Sequence, residues 1–594
     1  MKFACVLSSH VSAISATKTR PDGYKWIALS NCTLAILLAT LDGSITIIAM
    51  PDIFRGIHLD PLQPGNSFYL LWMVLGYLIV TSVLIVSFGK LGDMYGRVKM
   101  YNLGFIIYTV ASLVLTVDWM TGTSGALYLI IFRLVQGVGG AFLLANTAAI
   151  ITDAFPSNQR GMALGINNIV GVSGVFVGLV IGGLLAPINW RLVFLISVPV
   201  GLFGTVWAYL KLQELSRPQR TRIDWAGNVT FALGLVLIMV AITHGIRPYG
   251  DHATGWLSPQ VLIELGLGVL SLIAFMIIEL VSKDPMFKLQ LLRIRAFTFG
   301  TFSTFLSALS RGGLMFVLII WLQGIWLPLH GTDFADTPFK AGLFMLPLTL
   351  GMLIAGPTSG YLSDRYGARL FATGGMLASA ATFGLLILLP TDFSYPVFGF
   401  ILFLMGISMG LFASPNRAAV MNSLPAGDRG SGGGMNQTFQ NSAQVLSVGV
   451  FFSLMIAGLA SSLPHTLAAG LQAHGVSAAA AAKAGAAPPI TVLFSAFLGY
   501  NPIRHLVGSQ ALNALPAHAQ ATLAGHGFFP MLIEGPFRSG LNLAFWFSIG
   551  ACLIAAAASA MRGGIYHHAE TPERQDGAEL RIAPEPEPAE LQRA

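Results

Sequence analysis

The chain is poor in charged residues and in cysteine. Only 10% of its 594 residues are Asp, Glu, Lys or Arg, whereas soluble domains average about 25%. So few charged side chains cannot cover a water-facing surface of this size, which excludes a string of soluble domains. The three cysteines, Cys5, Cys32 and Cys552, supply no disulfide framework.

The sequence also lacks the patterns that common enzyme classes require. It has no cluster with metal-ligand spacing, no nucleophilic triad and no nucleotide loop of the Walker type. We therefore expect no enzymatic activity, no metal and no cofactor, and an energy source other than ATP hydrolysis by this chain. The formal charge of +7 follows membrane topology, so nucleic-acid binding is not expected either.

Long apolar runs are what the chain does have. Hydrophobic residues make up 54% of it, and its mean hydropathy is +0.71. A helix needs about 20 apolar residues to cross about 30 Å of hydrocarbon. Runs of that length lie near 27–50, 68–88, 101–117, 126–150, 162–186, 191–211, 225–243, 258–280, 297–326, 340–361, 370–389, 395–421, 433–461 and 540–561. The sequence predicts an all-α polytopic membrane protein with fourteen spans.

The distribution of Lys and Arg between these runs predicts the topology. Most of the bases fall in alternate segments that begin with the N-terminal tail, so the positive-inside rule places both termini in the cytoplasm of a plasma-membrane protein. Residues 1–26 are then a cytoplasmic tail, and residues 562–594 a disordered one. Residues 462–539 form a long outside loop with an apolar piece, ITVLFSAFLGY (490–500), that is too short to cross the membrane. It either lies on the interface, caps the mouth of the protein, or is merely structural.

A short charged loop occurs twice on the inside. SFGKLGDMYGRVKM (87–100) follows run 2, and SGYLSDRYGARL (359–370) follows run 10. At an offset of 271 (360 − 89), Gly89 matches Gly360, Asp93 matches Asp364, and Gly96 matches Gly367. Such internal repeats are typical of transporters built from two related halves. We predict a 6 + 2 + 6 arrangement, with halves at 27–211 and 297–561 and a linker with two inserted helices at 212–296.

These loops and several other segments together resemble a known family. LDGSITIIAMPDI (41–53), FRLVQGVGGAF (132–142), GVSGVFVGLVIGG (171–183) and IDWAGNVTFALGL (223–235) are similar to ordered motifs of the fourteen-spanner drug/proton antiporters in the major facilitator superfamily. The resemblance covers about 27–561. It implies the major facilitator fold and proton-driven export, although Leu179 stands where the antiporter motif has proline.

Three charged residues fall inside the predicted spans. Asp42 and Arg133 come at similar depths in spans 1 and 4, and both spans line the central cavity in this superfamily. An acid at mid-membrane is a functional candidate because its insertion is costly, so we predict an Asp42–Arg133 pair that couples proton binding to transport or contacts the substrate. The alternative is a static ion pair. Arg311 of span 9 is predicted to face the same cavity and bind an anionic group, or to be satisfied by carbonyls.

The inner loop and one helix face have predicted structural roles. In relatives, the loop that contains Gly89, Asp93, Gly96 and Arg97 latches the two halves on the cytoplasmic side. By analogy we expect Asp93 and Arg97 to bind the start of span 13 (430–439), with Asp364 as the repeated counterpart. The alternative is a solvated loop that sets topology, which we prefer for Lys90 and Lys99. The glycines of span 5 favour close helix packing; they are Gly174, Gly178, Gly182 and Gly183.

The expected function is secondary active transport. The resemblance favours proton-coupled efflux of drugs or other small amphipathic molecules by alternating access, with protons and the lipid bilayer as the other partners and a monomer as the working unit. One alternative is a narrow transporter of a metabolite or lipid-like solute. A second, from another class, is a membrane receptor or assembly partner that keeps the fold without transporting.

Overall fold

The structure is a computed structural model that describes residues 23–60, 63, 65–156, 159–215, 224–250, 252, 254–285, 287–425 and 428–563. Most of the two predicted cytoplasmic tails therefore lies outside the described residues. The side chain of Asp364 is also outside the description.

The described chain is helical throughout and has fourteen helices long and apolar enough to cross a membrane. They are Tyr24–Gly56, Phe68–Tyr95, Arg97–Thr116, Gly122–Ala154, Met162–Leu185, Leu192–Lys211, Trp225–Gly245, Pro259–Val281, Arg295–Leu329, Thr337–Ser363, Ala368–Leu388, Tyr395–Asn422, Ser431–Ala473 and Phe528–Ala560, called spans 1 to 14. Within the described residues, the one strand-like pairing is a bridge between Tyr249 and His252. The predictions of an all-α membrane protein and of fourteen spans are confirmed.

The same packing pattern occurs twice along the chain. Span 1 packs on span 5, span 2 on span 4 and span 3 on span 4; span 9 packs on span 13, span 10 on span 12 and span 11 on span 12. This repetition is what two related six-helix halves would produce. Spans 7 and 8 pack chiefly on each other, and span 7 also touches spans 2 and 13.

Span 9 changes its helical geometry twice. A turn at Gly312 and Gly313 interrupts the helix. Both glycines lie directly against span 13, where a Cβ would collide with Ser447 and Phe451. The segment Leu322–Trp326 is then a π-helix. In it, Gln323 Nε2 donates to the carbonyl of Ile48 in span 1 at 3.4 Å, which joins the outer parts of the first and second halves.

The outside loop is shorter than predicted because both flanking helices continue into it. Span 13 extends to Ala473 and span 14 starts at Phe528, so the connection is 474–527 rather than 462–539. Leu463, Leu467 and Leu471 recur every four residues and are fully buried, which gives the helical extension an apolar face to pack. The connection contains short helices at Ala478–Gly485, Pro489–Phe497, Ile503–Val507, Ser509–Asn513 and Ala517–Ala524.

The helix Pro489–Phe497, called here the loop helix, is inserted into the protein. Nearly all of its residues are buried, and it contacts span 2 as well as spans 9, 13 and 14. Phe494 lies 5.4 Å from Phe452 of span 13, and Phe497 lies 6.1 Å from Phe316 of span 9, between ring centroids. A short helix with so many apolar side chains is stable when they are covered, so this segment fills the space between the outer ends of the spans.

Candidate functional site

Spans 1 and 4 bring the two mid-membrane charges together. Arg133 Nη1 donates to Asp42 Oδ2, and the two side chains form an ion pair with essentially no exposure to solvent. Because both side chains are buried, each charge depends on the other and on buried polar neighbours for its stability. The predicted pairing is therefore present as a contact, while its role in coupling stays a prediction.

A glutamine completes the contact between the two charges. Gln136 Nε2 donates to Asp42 Oδ1 at 3.0 Å and to Ser112 Oγ of span 3 at 2.9 Å, and its Oε1 accepts from Arg133 Nη1 at 2.7 Å. Gln136 is fully buried. Gln136 was not among the predicted site residues, although its position three residues after Arg133 places both side chains on the same helix face.

Arg133 has further partners on span 2. Its Nε donates to the carbonyl of Met73 at 3.2 Å, and its guanidinium carbon lies 4.8 Å from the centre of the Tyr77 ring. Arginine thus has a carbonyl, an amide oxygen and an aromatic face available besides the carboxylate. These alternatives would stabilise the guanidinium if its bond to Asp42 were broken.

The ion pair lies inside the first half of the protein. Its partners come from spans 1 to 4: Asp42 from span 1, Met73 and Tyr77 from span 2, Ser112 from span 3, and Arg133 and Gln136 from span 4.

Arg311 is not part of this network. It ends the first helical segment of span 9, Arg295–Arg311, and its electrostatic neighbour is the Cys552 thiol of span 14. Its guanidinium makes no hydrogen bond or ion pair with the residues that the structure describes. Among the described residues, Arg311 is therefore a cation of the second half without a charged partner, and it makes no contact with Asp42 or Arg133.

Asp93 and Arg97 of the charged inner loop are held by partners in the first half and in the segment that follows span 6. Arg97 pairs with Asp93 at 2.8 Å and with Asp153, at the inner end of span 4, at 2.7 Å. Glu214 accepts from the backbone nitrogens of Arg97 and Val98 at 3.1 and 2.9 Å. These contacts tie span 2 to spans 3 and 4 and to the segment after span 6, and they differ from the latch to 430–439 that the sequence suggested.

Span 13 nevertheless approaches span 2 at this end, because Gly434 lies against Val86. Gly89 borders open space. Gly96 and Gly367 have φ values of 109° and 86°, and each ends one helix and precedes the next. The repeated loops thus share a turn that favours glycine. The latch role of this loop remains a prediction for another state of the protein.

The environment of Lys90 differs from the one that we expected. We expected a solvated charge, but Lys90 Nζ donates to the carbonyls of Asp284 and Pro285 at 3.0 and 2.6 Å. That expectation was wrong because the acceptors belong to the segment after span 8, which crosses beneath the inner end of span 2. Lys99 is exposed, as expected.

The span 5 glycines pack on two different partners. Gly174, Gly178 and Gly182 lie against span 1, where a Cβ would collide with Thr40, Ser44 and Ile48 respectively, whereas Gly183 lies against the backbone of Phe339 in span 10. Three of the four thus set the distance between two helices of one half, and the fourth contacts the other half.

Another buried cation lies at the inner end of span 14. Arg562 is only 4% exposed and its Nη2 donates to Asn416 Oδ1 of span 12, while its Nε and Nη1 have no hydrogen-bond partner among the described residues. Burial lowers the pKa of Arg562 to about 10 because it disfavours the charged form. The sequence placed Arg562 in the C-terminal tail, since nothing in its neighbours signals burial. No metal-ligand group is found within the described residues.

Comparisons with known proteins agree with this architecture. The family model described as Major Facilitator Superfamily matches residues 32–448. A riboflavin transporter of Clostridioides difficile is 28% identical over 73% of this chain and 89% of its own length. A tetracenomycin C resistance and export protein of Streptomyces glaucescens is 27% identical over 90% of this chain and 91% of its own length. The crystal structure of a bacterial homologue of the human lysosomal transporter Spinster, in an inward-facing conformation, has a TM-score of 0.53 at 15% identity and covers 91% of this chain and 98% of its own.

Proposed function

Because the chain belongs to the major facilitator superfamily and is a multi-pass membrane transporter, we propose that it is a proton-coupled exporter of small amphipathic molecules. In this proposal two six-helix halves, 27–211 and 297–561, rock around a central site, while the inserted pair of spans lies beside them. We further propose that it works as a monomer in the cell membrane with both termini in the cytoplasm, since the bases between spans are concentrated on that side.

The observation that supports coupling is the Asp42–Arg133–Gln136 contact. Asp42 is fully buried, and both of its carboxylate oxygens accept from side chains of span 4. An ionised carboxylate in such a place depends on its donors, because burying an unpaired charge is far more costly than burying a paired one. A movement of span 4 relative to span 1 would remove those donors, and a proton would then be the way to neutralise Asp42.

Arg133 can follow such a movement without being left unpaired. The Met73 carbonyl, Gln136 Oε1 and the Tyr77 ring remain beside it when Asp42 is protonated. Two arrangements of one site, one with an ion pair and one with a neutral acid, are what an antiporter requires if each is favoured by a different conformation. A proton that moves down 100 mV supplies about 2.3 kcal/mol.

The relatives support export of small molecules. One similar protein is named as an exporter of tetracenomycin C, and another is named as a transporter of riboflavin. The riboflavin transporter also supports a second candidate function, the transport of a single metabolite. The unpaired Arg311 favours that candidate to the extent that it would select an anionic group.

The test is solute-driven proton movement in everted vesicles with a pH-sensitive dye and riboflavin or ethidium as the added solute. Wild type should release protons from acidified vesicles when a transported solute is added, and Asp42→Asn should not. Asp52→Asn is the matched control, because Asp52 lies in the same helix and pairs with Arg55 at 2.8 Å near its outer end. Proton movement by Asp42→Asn at the wild-type rate, or none by wild type with either solute, would contradict the proposal.

A further inference from the structure

Span 13 carries a row of carboxamide side chains at membrane depth. Gln437, Gln440, Asn441 and Gln444 recur at i, i+3, i+4 and i+7, which places them on one face of the helix. The helix begins at Arg429, so at 1.5 Å per residue these side chains lie about 12 to 22 Å above its inner end. That is the middle of about 30 Å of hydrocarbon. These four residues are called the amide stripe.

The hydrogen-bonding capacity of the amide stripe is largely unused. Gln437 Nε2 donates to Asn441 Oδ1 at 2.9 Å, within the stripe itself. The side chains of Gln440 and Gln444 make no hydrogen bond with the residues that the structure describes. All four side chains are partly accessible, and Gln444 is exposed. A carboxamide that faced lipid in this state would lose every partner that water offers, so the stripe requires water or a ligand.

Two neighbouring helices limit the direction in which the stripe faces. Asn436 and Ser447 bond span 9, through Thr301 Oγ1 at 3.2 Å and the Leu309 carbonyl at 2.6 Å. Gly434 lies against Val86 of span 2. With 3.6 residues per turn, the stripe falls on the face between these two contacts. It therefore opens toward the space between span 9 of one half and span 2 of the other.

Other faces of span 13 are covered by Phe439 at the height of the stripe and by Gly449 above it. Gly449 lies against Ile242 of span 7, and the rings of Phe439 and Phe287 are 5.7 Å apart. Lipid thus reaches span 13 on neither of these sides. The accessible surface of the stripe faces the cleft between the halves, where alternating access places substrate.

The chemistry of this surface indicates which solutes it fits. Carboxamides donate and accept hydrogen bonds but carry no charge, so they cannot neutralise a cation. Among the described acids of the spans, Asp42 alone lies near mid-depth, and its carboxylate is already bound by Arg133 and Gln136. The unpaired charge of span 9 is positive, on Arg311. A permanent cation would therefore find no free carboxylate at this depth.

We propose that the amide stripe is a substrate-binding surface for uncharged amphipathic solutes, namely ring systems that carry several hydroxyl or carbonyl groups, and that it disfavours permanent cations. The apolar rings would pack in the cleft while Gln440 and Gln444 bond the polar groups. This proposal rests on the proposed transport function, but it concerns binding alone. It can therefore fail while proton coupling holds, or hold while coupling fails.

The test is equilibrium binding to the full-length protein in lipid nanodiscs without a proton gradient. Riboflavin serves as the uncharged probe, with hydroxyl and carbonyl groups on a ring system, and ethidium serves as the permanent cation. Wild type should bind riboflavin more tightly than ethidium. Gln440→Leu with Gln444→Leu should raise the riboflavin Kd by about tenfold or more, because two hydrogen bonds are lost. Gln472→Leu with Gln510→Leu, at exposed positions far from the stripe in the outer end of span 13 and in the outside loop, should leave it unchanged.

A second pair of variants guards against simple misfolding. Gln440→Glu with Gln444→Glu should acquire ethidium binding, because two carboxylates would then face the cleft, and a disrupted protein would not gain an affinity. The proposal is overturned if wild type prefers ethidium, if it binds neither probe, or if neither pair of variants changes the affinity for its probe.

Discussion

At the level of single side chains, Gln136 is the residue that touches both members of the buried ion pair. It donates to Asp42 and accepts from Arg133, and it also reaches Ser112 of span 3. A neutral amide suits this position because it can bond a carboxylate and a guanidinium at once. An acid in its place would repel Asp42, and an apolar residue would leave both charges with fewer partners.

Gln136→Met should therefore weaken the site while it keeps nearly the same volume. Each buried polar group left without a partner costs about 1–3 kcal/mol, so the apparent Tm in detergent should fall. Solute-driven proton movement should slow as well. Gln510→Met, at an exposed position outside the membrane, is the control for the substitution itself. An unchanged Tm and an unchanged proton signal would show that Gln136 does not support the pair.

The sequence predicts some of these side-chain contacts and not others. Asp42 and Arg133 could be matched because depth along a membrane helix follows directly from residue number. The hydrogen bonds of Lys90 could not be predicted because its acceptors are backbone carbonyls after span 8. Every residue has a backbone carbonyl, so the sequence does not indicate which ones accept. The burial of Arg562 could not be predicted for a similar reason, because its partner Asn416 lies on a helix that is distant in the sequence.

At the level of helices, the contact between spans 1 and 5 depends on glycines, which have no side chain to separate the two backbones. Gly178 lies against the Leu41 carbonyl and Ser44 Oγ of span 1. Gly165, nearer the inner end of the same helix, has no described atom within 4 Å of the position of a Cβ. The two glycines therefore separate the effect of packing from the effect of helix propensity within one element.

Gly178→Ala should destabilise the protein and Gly165→Ala should not. Overpacking against a backbone that cannot move costs about 1–3 kcal/mol, whereas alanine at an open helix position gains up to about 1 kcal/mol. Thermal unfolding in one detergent should thus move the apparent Tm down for the first variant and leave it level or raised for the second. Equal shifts in both would mean that spans 1 and 5 are not closely packed at Gly178.

The helices were predictable to different degrees. All fourteen spans follow from apolar run length, since a run of that size has few other stable environments. The ends of spans 13 and 14 do not, because Leu463, Leu467 and Leu471 are buried by the outside loop rather than by lipid. The loop helix was visible as an apolar segment, but its insertion depends on partners in spans 2, 9, 13 and 14.

At the level of the whole molecule, the loop helix bears on how the outer side opens. It contacts span 2 of the first half and three spans of the second, and Gln323 joins span 9 to span 1 on the same side. Alternating access requires the two halves to separate there in one state. Opening would break part of this packing, so the buried residues of the loop helix would become more accessible to water.

A cysteine in the loop helix should report that opening. In a background without the native cysteines, Phe494→Cys, whose parent side chain is 1% exposed, should react slowly with a membrane-impermeant thiol reagent added outside. A transported solute should speed the reaction because each cycle opens the outer side. His518→Cys, at an exposed loop position, should react quickly in both conditions. If Phe494→Cys reacts as quickly as the control without solute, the loop helix does not close the outer mouth.

The proposed proton coupling depends on Asp42 as a group that gains and loses a proton during transport. Infrared difference spectroscopy with riboflavin addition tests this most directly, because a protonated carboxyl group has a carbonyl stretch that a carboxylate lacks. Wild type should show that band appear or disappear when solute is added, and Asp42→Asn should not show it. A wild-type spectrum without the band, or the same band in Asp42→Asn, would contradict the account.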